Sequence, residues 1–341
     1  MIPIFRPSIR RREMDAVLSS LVTDNLADGP IGREFLKALT AYIEADGGVL
    51  LREYERAIEL ALDALELEEG TGIIVSPLSS RLYQEVIEGR GFRVLPADVD
   101  ADTMTVNTAE IEKILEDSRV GAIVADAPYG FIPNLQRIAE YGVPVIEDVT
   151  TTFGAHDGKK KCGTYGDVVV MRMEAGDILT VAGGAAVYSS SRKYSQRIRK
   201  IVELWPSHRF LSDMNSSLGA AQLKDLENLF YRRQEVYHIF SDAVRKGRHG
   251  VPLQRAEVEQ IYNVFPVLLK GGVRDVQAYA KKNGVETVQA FSDSIINSMG
   301  LEDRRFEGAG QIYRRCLLFP LYPMLSKNEV ETISRVLSTL P

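Results

Sequence analysis

Apolar positions along the chain follow two periods, and the change from one to the other marks its organisation. At about 11–22 and 32–45 they recur at helical spacing, the second stretch following DGPIG, whose Asp28, Gly29 and Pro30 suit a turn ahead of a helix. No strand is expected in this opening. From residue 51, LREYERAIELALDAL sets Ala57, Ile58, Ala61, Leu62 and Leu65 on one helical stripe that ends at the Gly70 to Gly72 punctuation. A strand and helix rhythm follows. GIIVSP (72–77) reads as a strand, 79–89 as an exposed helix, FRVLPADV (92–99) as a strand and 108–116 as a helix. VGAIVAD (120–126) and VPVIEDV (143–149) are short apolar strands around the helix-like NLQRIAEYG, and DVVVMRM (167–173) and GGAAVYS (183–189) are two more. This order predicts an α/β unit with a mostly parallel sheet of about six or seven strands.

The texture changes after a helical tract at 191–204 and 214–245, interrupted by ELWPSHRFLSD. IYNVFPVLLKG (261–271) and RRCLLFPLYP (314–323) read as strands, VRDVQAYAKKNGV (273–285) as a helix, and SKNEVETISRVLSTL as a final helix with Ser326 and Glu329 spaced for a capping box. The expected division is a large α/β domain over 1–245 and a small α+β domain over 246–341. The total of 341 residues suits it, at roughly 150 residues per domain.

Charge and composition then remove several classes of function. Lys and Arg number 41 against 47 Asp and Glu, a net charge of −6, which disfavours a nonspecific binder of nucleic acid or of anionic membranes. Two cysteines make no disulfide framework, and four histidines show no H-E-x-x-H or tight Cys/His grouping, so no metal site is expected. No apolar run is long enough for a signal peptide or a membrane span, and a cytoplasmic protein is the expectation. Candidate chemistry starts with Asp126 and Asp148, carboxylates that end parallel strands where ligand-binding groups are commonly delivered.

Several segments taken together carry a family likeness: DGPIGREF (28–35), DVDADTMTVN (98–107), PYG (128–130), VPVIEDV (143–149), FGAHDGKKKCGTYGD (153–167), AGG (182–184), SLGAAQLKDLE (217–227) and LLFPLYPMLS (317–326). Across nearly its whole length the chain resembles the DegT/DnrJ/EryC1/StrS sugar aminotransferases. The resemblance implies the type I pyridoxal-phosphate transferase fold, a homodimer with clefts near the subunit interface, and a sugar or nucleotide-sugar ligand. It implies further that Asp148 occupies the position of the carboxylate that pairs with the cofactor's pyridine nitrogen and keeps it positive. Glu147, its neighbour on the strand, is expected to face the other way.

The same comparison exposes departures. The lysine expected before the Gly-Gly strand, the amine of the internal Schiff base, corresponds to Gly176, and no lysine occurs between Lys161 and Lys193. A phosphate-binding serine corresponds to Met171, although core packing explains that methionine as well. The Ser-Gly-Thr phosphate cradle corresponds to Glu53, Tyr54 and Glu55, carboxylates where a helix N-terminus would receive a phosphate. Arg81 falls where an aromatic ring would stack on the cofactor, Thr151 where Gln or His is usual, and His208 where the partner subunit's asparagine is expected. Arg81 and His208 read more simply as surface groups, and Lys159, Lys160 and Lys161 as a charged hairpin rather than a phosphate contact. Tyr129 and Gly130 suit a ligand wall or a turn, and neither Cys162 nor Cys316 sits at a diagnostic distance from a histidine.

Three readings follow. One is an aminotransferase-like protein with a degenerate cofactor site that uses its cleft for binding or regulation. Another is an enzyme of nucleotide-sugar or polysaccharide biosynthesis holding pyridoxal or pyridoxamine phosphate noncovalently, without an internal Schiff base. The third, a conventional sugar aminotransferase, is opposed by Gly176.

Overall fold

Ile73 and Val75 point to one side of a sheet and Ile74 to the other, and this alternation organises the molecule. The structure is a computed structural model that describes residues 1–22, 26–299 and 305–341. Strands β1 (Gly47–Leu51), β2 (Gly72–Val75), β3 (Arg93–Pro96), β4 (Val120–Ala125), β5 (Val145–Asp148), β8 (Val168–Arg172) and β9 (Ala185–Ser189) form a seven-stranded sheet in the order β1-β9-β8-β5-β4-β2-β3. Neighbours from β3 to β8 are parallel, whereas β9 runs antiparallel to β8 and to β1. The fold is α/β with a mostly parallel sheet, as the βαβ rhythm predicts.

Helices α2 (Pro30–Ile43), α3 (Tyr54–Leu65), α4 (Arg81–Gly89), α5 (Thr108–Asp117), α6 (Leu135–Ala139) and α7 (Arg192–Val202) surround this sheet, and α1 (Arg11–Leu21) lies against the helix at 213–223. On one face Phe35, Leu39 and Ile43 of α2 meet Ile74, Ile123 and Val169. On the other, Ala57, Ile58, Ala61, Leu62 and Leu65 of α3, the stripe read from the sequence, meet Ile73, Val124, Ile146 and Val170. Burial of such side chains contributes about 1.5–3 kcal/mol each.

Two expectations need correction. A strand does lie in the opening: β1 pairs with β9 from Gly47 opposite Ser189 to Leu51 opposite Ala185. Its two glycines look like a turn, but the strands approach so closely that a Cβ on Gly48 would lie 2.5 Å from the Val187 carbonyl oxygen. Helix α4 is not simply exposed either; it buries Tyr83, Val86 and Ile87, three positions on one helical face.

Residues 156–161 make a hairpin of β6 (His156–Asp157) and β7 (Lys160–Lys161), and β6 also pairs with β10 (Val258–Glu259). Helices α8 (Asp213–Leu223) and α9 (Leu226–Val244) lead from the large sheet to a smaller antiparallel one, β11 (Phe265–Leu268), β13 (Cys316–Phe319) and β12 (Val288–Gln289), in that order. Val236 and Phe240 of α9 share a core with Phe265, Leu317, Phe319 and the final helix, Lys327–Ser338, where Ser326 and Glu329 form the expected capping box. Ile2 joins this core too, bridging to Val285. Among the described residues no helix is long and apolar enough to cross a membrane.

Candidate functional site

Parallel strands that end side by side leave a crevice at their C-terminal edge. The chain continues from β4 and β5 into Asp126 and Asp148 there, and residues 288–294 of the C-terminal part close over them. The result is a cleft of about 300 Å³ whose floor includes Tyr54, Tyr83, Asp126, Asp148 and Arg172 and whose opposite wall includes Asn263, Gln289 and Phe291.

Asp148 is the most heavily hydrogen-bonded group in the cleft. Its Oδ1 accepts from the Thr150 backbone N–H at 2.9 Å and from Thr150 Oγ1 at 2.6 Å. Its Oδ2 accepts from the hydroxyl of Tyr54 and, at 2.9 Å, from that of Tyr83. The two phenol oxygens also lie 2.9 Å apart, with their rings edge to face. Burial, and next the Asp148 charge, raise both tyrosines well above the usual phenol range, so both stay protonated donors. A partly buried carboxylate held by four donors from its own chain is a satisfied anion.

Glu147 faces away, as strand alternation predicts. It is 1% exposed and accepts from the backbone N–H groups of Gly163 at 2.5 Å, Tyr165 at 3.0 Å and Gly166 at 2.8 Å. Burial raises it to about 7 against the pull of those amides. Asp126 is likewise raised to about 7, by burial first and the Asp148 charge second.

Arg172 is a cleft residue that sequence reasoning missed. It forms a fork with Asp177, Nε to Oδ2 and Nη2 to Oδ1 both at 3.0 Å, and its guanidinium lies 5.9 Å from the Tyr54 ring centroid. The Arg-x4-Asp spacing across a turn was the available signal. Gly176 is exposed at the tip of that turn, and a Cβ there would meet only the Phe5 ring, at 3.8–3.9 Å. Tyr83 was missed as well, because the helix at 79–89 reads as exposed; in the structure the Tyr83 side chain is buried, and a buried phenol seeks a partner for its O–H.

The residues singled out from the sequence divide into three groups. Asp148, Thr151 and Tyr54 line the cleft; Thr151 Oγ1 donates to the Ala127 carbonyl oxygen. Glu53, Glu55 and Arg81 line an adjoining opening that shares Tyr54, Ser80, Arg172 and Asp293 with the cleft. Arg81 is paired there with Glu85 at 3.0 Å and with Asp293 at 4.0 Å. The others stand apart. Met171 is buried in the core beside Val169 and does not line the cleft, because the next position, Arg172, takes the cleft side of the strand. His208 is exposed on a short turn outside the cleft lining. Lys161 donates to the Tyr42 carbonyl at 2.7 Å, and Lys160 lies over the Tyr165 ring, so these lysines serve the hairpin. Cys162 is buried, and burial raises its thiol well above its usual range, which leaves it a poor nucleophile.

Three features of the site bear on how it would receive a pyridoxal phosphate. Asp148, which would pair with the ring nitrogen, is capped by Tyr54 and Tyr83. Helix α3, which would receive the phosphate, begins at an N-cap of Glu53 that makes no side-chain cap, with Glu55 in its first turn. No lysine lines the cleft or the adjoining opening among the described residues. Nor does any group of three or more His, Cys, Asp or Glu there have an arrangement suited to a metal ion.

Comparison with known proteins supplies the wider setting. The profile of the DegT/DnrJ/EryC1/StrS aminotransferase family matches residues 7–338. Among characterised sequences, a dTDP-4-dehydro-2,3,6-trideoxy-D-glucose 4-aminotransferase of Saccharopolyspora spinosa is 23% identical over 98% of this chain and 95% of its own. The spore coat polysaccharide biosynthesis protein SpsC of Bacillus subtilis is 22% identical over 97% of this chain and 95% of its own. Among solved structures, the aminotransferase TlmJ of Streptoalloteichus hindustanus superposes with a TM-score of 0.90 at 23% identity, covering 99% of this chain and 98% of its own. A putative sugar aminotransferase of Streptococcus pneumoniae in its PMP form gives 0.90 at 18% identity, covering 99% and 96%.

Proposed function

Because the chain belongs to the DegT/DnrJ/EryC1/StrS aminotransferase family, we propose that it is a member with a degenerate cofactor site, which keeps the family scaffold and uses its cleft to bind a small polar ligand without transaminating it. The observation that carries this reading is the fourfold capping of Asp148 by Tyr54, Tyr83 and Thr150. A cofactor ring reaching this carboxylate must displace the phenols of Tyr54 and Tyr83, which then lose their acceptor. Gly176 supports the same reading from another direction, since no proton-transferring amine stands where the family has one.

The relatives act on nucleotide-linked sugars and in polysaccharide synthesis, so a sugar is the ligand class to probe first. A homodimer is part of the proposal. Met14, Leu18 and Leu21 of α1 are each about half exposed and Val22 is 87% exposed, a strip of apolar surface suited to a second copy. Light scattering that gives a monomer mass would remove that part.

Gly176→Lys is the direct functional test. The position has room for a side chain, so the variant should fold, and the expected outcome is no amino transfer from glutamate to a dTDP-linked keto-sugar. Robust transfer from this single change would show a cofactor site that is intact apart from its amine, contrary to the proposal.

A further inference from the structure

A net charge of −6 is an average over the chain, and helix α7 departs from it. Its 11 residues, RKYSQRIRKIV, hold Arg192, Lys193, Arg197, Arg199 and Lys200 and no acidic residue. Tyr194, Ser195 and Ile198 are buried, and Tyr194 and Ile198 pack into the core shared by α3 and the sheet. At roughly 100° per residue, the cations occupy the remaining arc of the helix, which faces outward.

Four of these cations stand without an ionic partner. Arg197 is tied to Glu66 and to the Ala64 carbonyl oxygen, whereas Arg192, Lys193, Arg199 and Lys200 are exposed and make no ion pair among the described residues. Lys193 rests over the Tyr194 ring, 4.8 Å from its centroid, which leaves its charge uncompensated. The arrangement works partly against the helix itself. Arg199 and Lys200 in the last turn suit the helix dipole, but Arg192 and Lys193 in the first turn oppose it, and Ser191 makes no side-chain cap. Lys193 and Arg197 are also like charges four residues apart. An anionic partner outside the chain accounts for charges that do not stabilise their own helix.

An apolar tip adjoins this charge. Glu203, the C-cap, keeps helical angles of φ −55° and ψ −35°, so Leu204 falls one turn beyond Lys200 on the same side. Leu204 is 92% exposed, the highest value among the large apolar side chains described. Trp205 follows, partly buried, with the Arg209 guanidinium 4.9 Å from its ring centroid. A cationic face with a leucine and a tryptophan at one end suits the membrane boundary, where head groups meet acyl chains. A nucleic acid would use the charge but give Leu204 no apolar surroundings. None of these residues lines the cleft or the adjoining opening.

We propose that α7 docks the protein on an anionic membrane surface, with its four unpaired cations against the lipid phosphates and Leu204 inserted at the boundary. Docking of this kind is peripheral and needs no membrane-spanning helix. It does not depend on what the cleft holds.

Flotation of the purified protein with phosphatidylcholine vesicles, with and without phosphatidylglycerol, tests the proposal. Protein should float with the anionic vesicles only, and raising the salt should release it. Each cation near such a surface contributes about a fivefold gain in partitioning, so Lys193→Gln with Lys200→Gln should weaken binding roughly 25-fold. Arg192→Gln with Arg199→Gln should do the same, and melting should stay cooperative because all four side chains are exposed. Leu204→Ser should weaken binding severalfold without changing its salt dependence. Equal flotation with both vesicles, no flotation at low salt, indifference to both pairs of substitutions, or tighter binding of a DNA duplex than of the anionic vesicles would overturn the proposal.

Discussion

Glu147 and Asp148 are consecutive carboxylates on one strand, and they are satisfied in opposite ways. Glu147 takes three backbone amides from the loop at 163–166, donors that exist whatever side chains that loop carries. Asp148 takes the phenols of Tyr54 and Tyr83, side chains brought from the starts of two different helices, α3 and α4. The first arrangement belongs to the scaffold. The second depends on residue identity, and it is where this chain differs from what its family resemblance implies. A fold held by backbone bonding can persist while its cleft is rebuilt one side chain at a time.

The contrast can be broken most severely from the scaffold side. Glu147→Ala leaves three amides without their acceptor and should cost about 3–5 kcal/mol in urea denaturation, with Glu147→Gln recovering a large part because it keeps an acceptor oxygen. A loss below about 1 kcal/mol would mean that water replaces the carboxylate and that the loop does not depend on it.

A pH series sharpens the comparison next. Asp126 and Glu147 rise from ordinary values of 3.8 and 4.5 to about 7 in the folded protein, so between those limits the folded state binds protons that the unfolded state has released. Stability should therefore be greatest near the acidic end of this window and fall as pH climbs towards 7, then level off, at a slope of up to about 1.4 kcal/mol per pH unit for each of the two groups. Asp126→Asn should flatten part of that decline. A stability that rises over the same window would contradict the raised values.

The cleft side should respond more gently. Tyr54→Phe and Tyr83→Phe each remove one donor from Asp148 and should cost about 1–2 kcal/mol. The double variant should depart from additivity, because both hydroxyls meet the same oxygen and each other. Strict additivity in a double-mutant cycle would deny that shared cap. Smallest of all, Gly176→Lys should change stability by no more than about 0.5 kcal/mol, since the position is exposed and has room for a side chain.

The scaffold was legible in the sequence for a physical reason. Apolar runs such as GIIV and VGAIVA, alternating with helical stripes, carry their structure in local spacing. β1 escaped because Gly48 is there for close strand approach, a property of the partner β9 rather than of the segment itself. The cleft was legible only in part. Asp148 could be placed from its strand, and Glu147 from alternation, but the capping of Asp148 joins residues 54, 83, 148 and 150, which only the folded chain brings together. By resemblance Tyr54 falls in the phosphate cradle, whereas its role as a donor to Asp148 depends on how α3 meets β5. Met171 and Arg172 show the same limit at finer scale, since a shift of one position on a strand exchanges core for cleft.

The most direct measurement is an absorbance titration of the purified protein with pyridoxal phosphate, run in parallel on Asp148→Asn. With Asp148 capped by its own chain and no amine at position 176, neither protein should show a saturable band at any excess of cofactor. A saturable band in the wild type that disappears in Asp148→Asn would mean that the carboxylate is free to hold the cofactor ring, in direct contradiction.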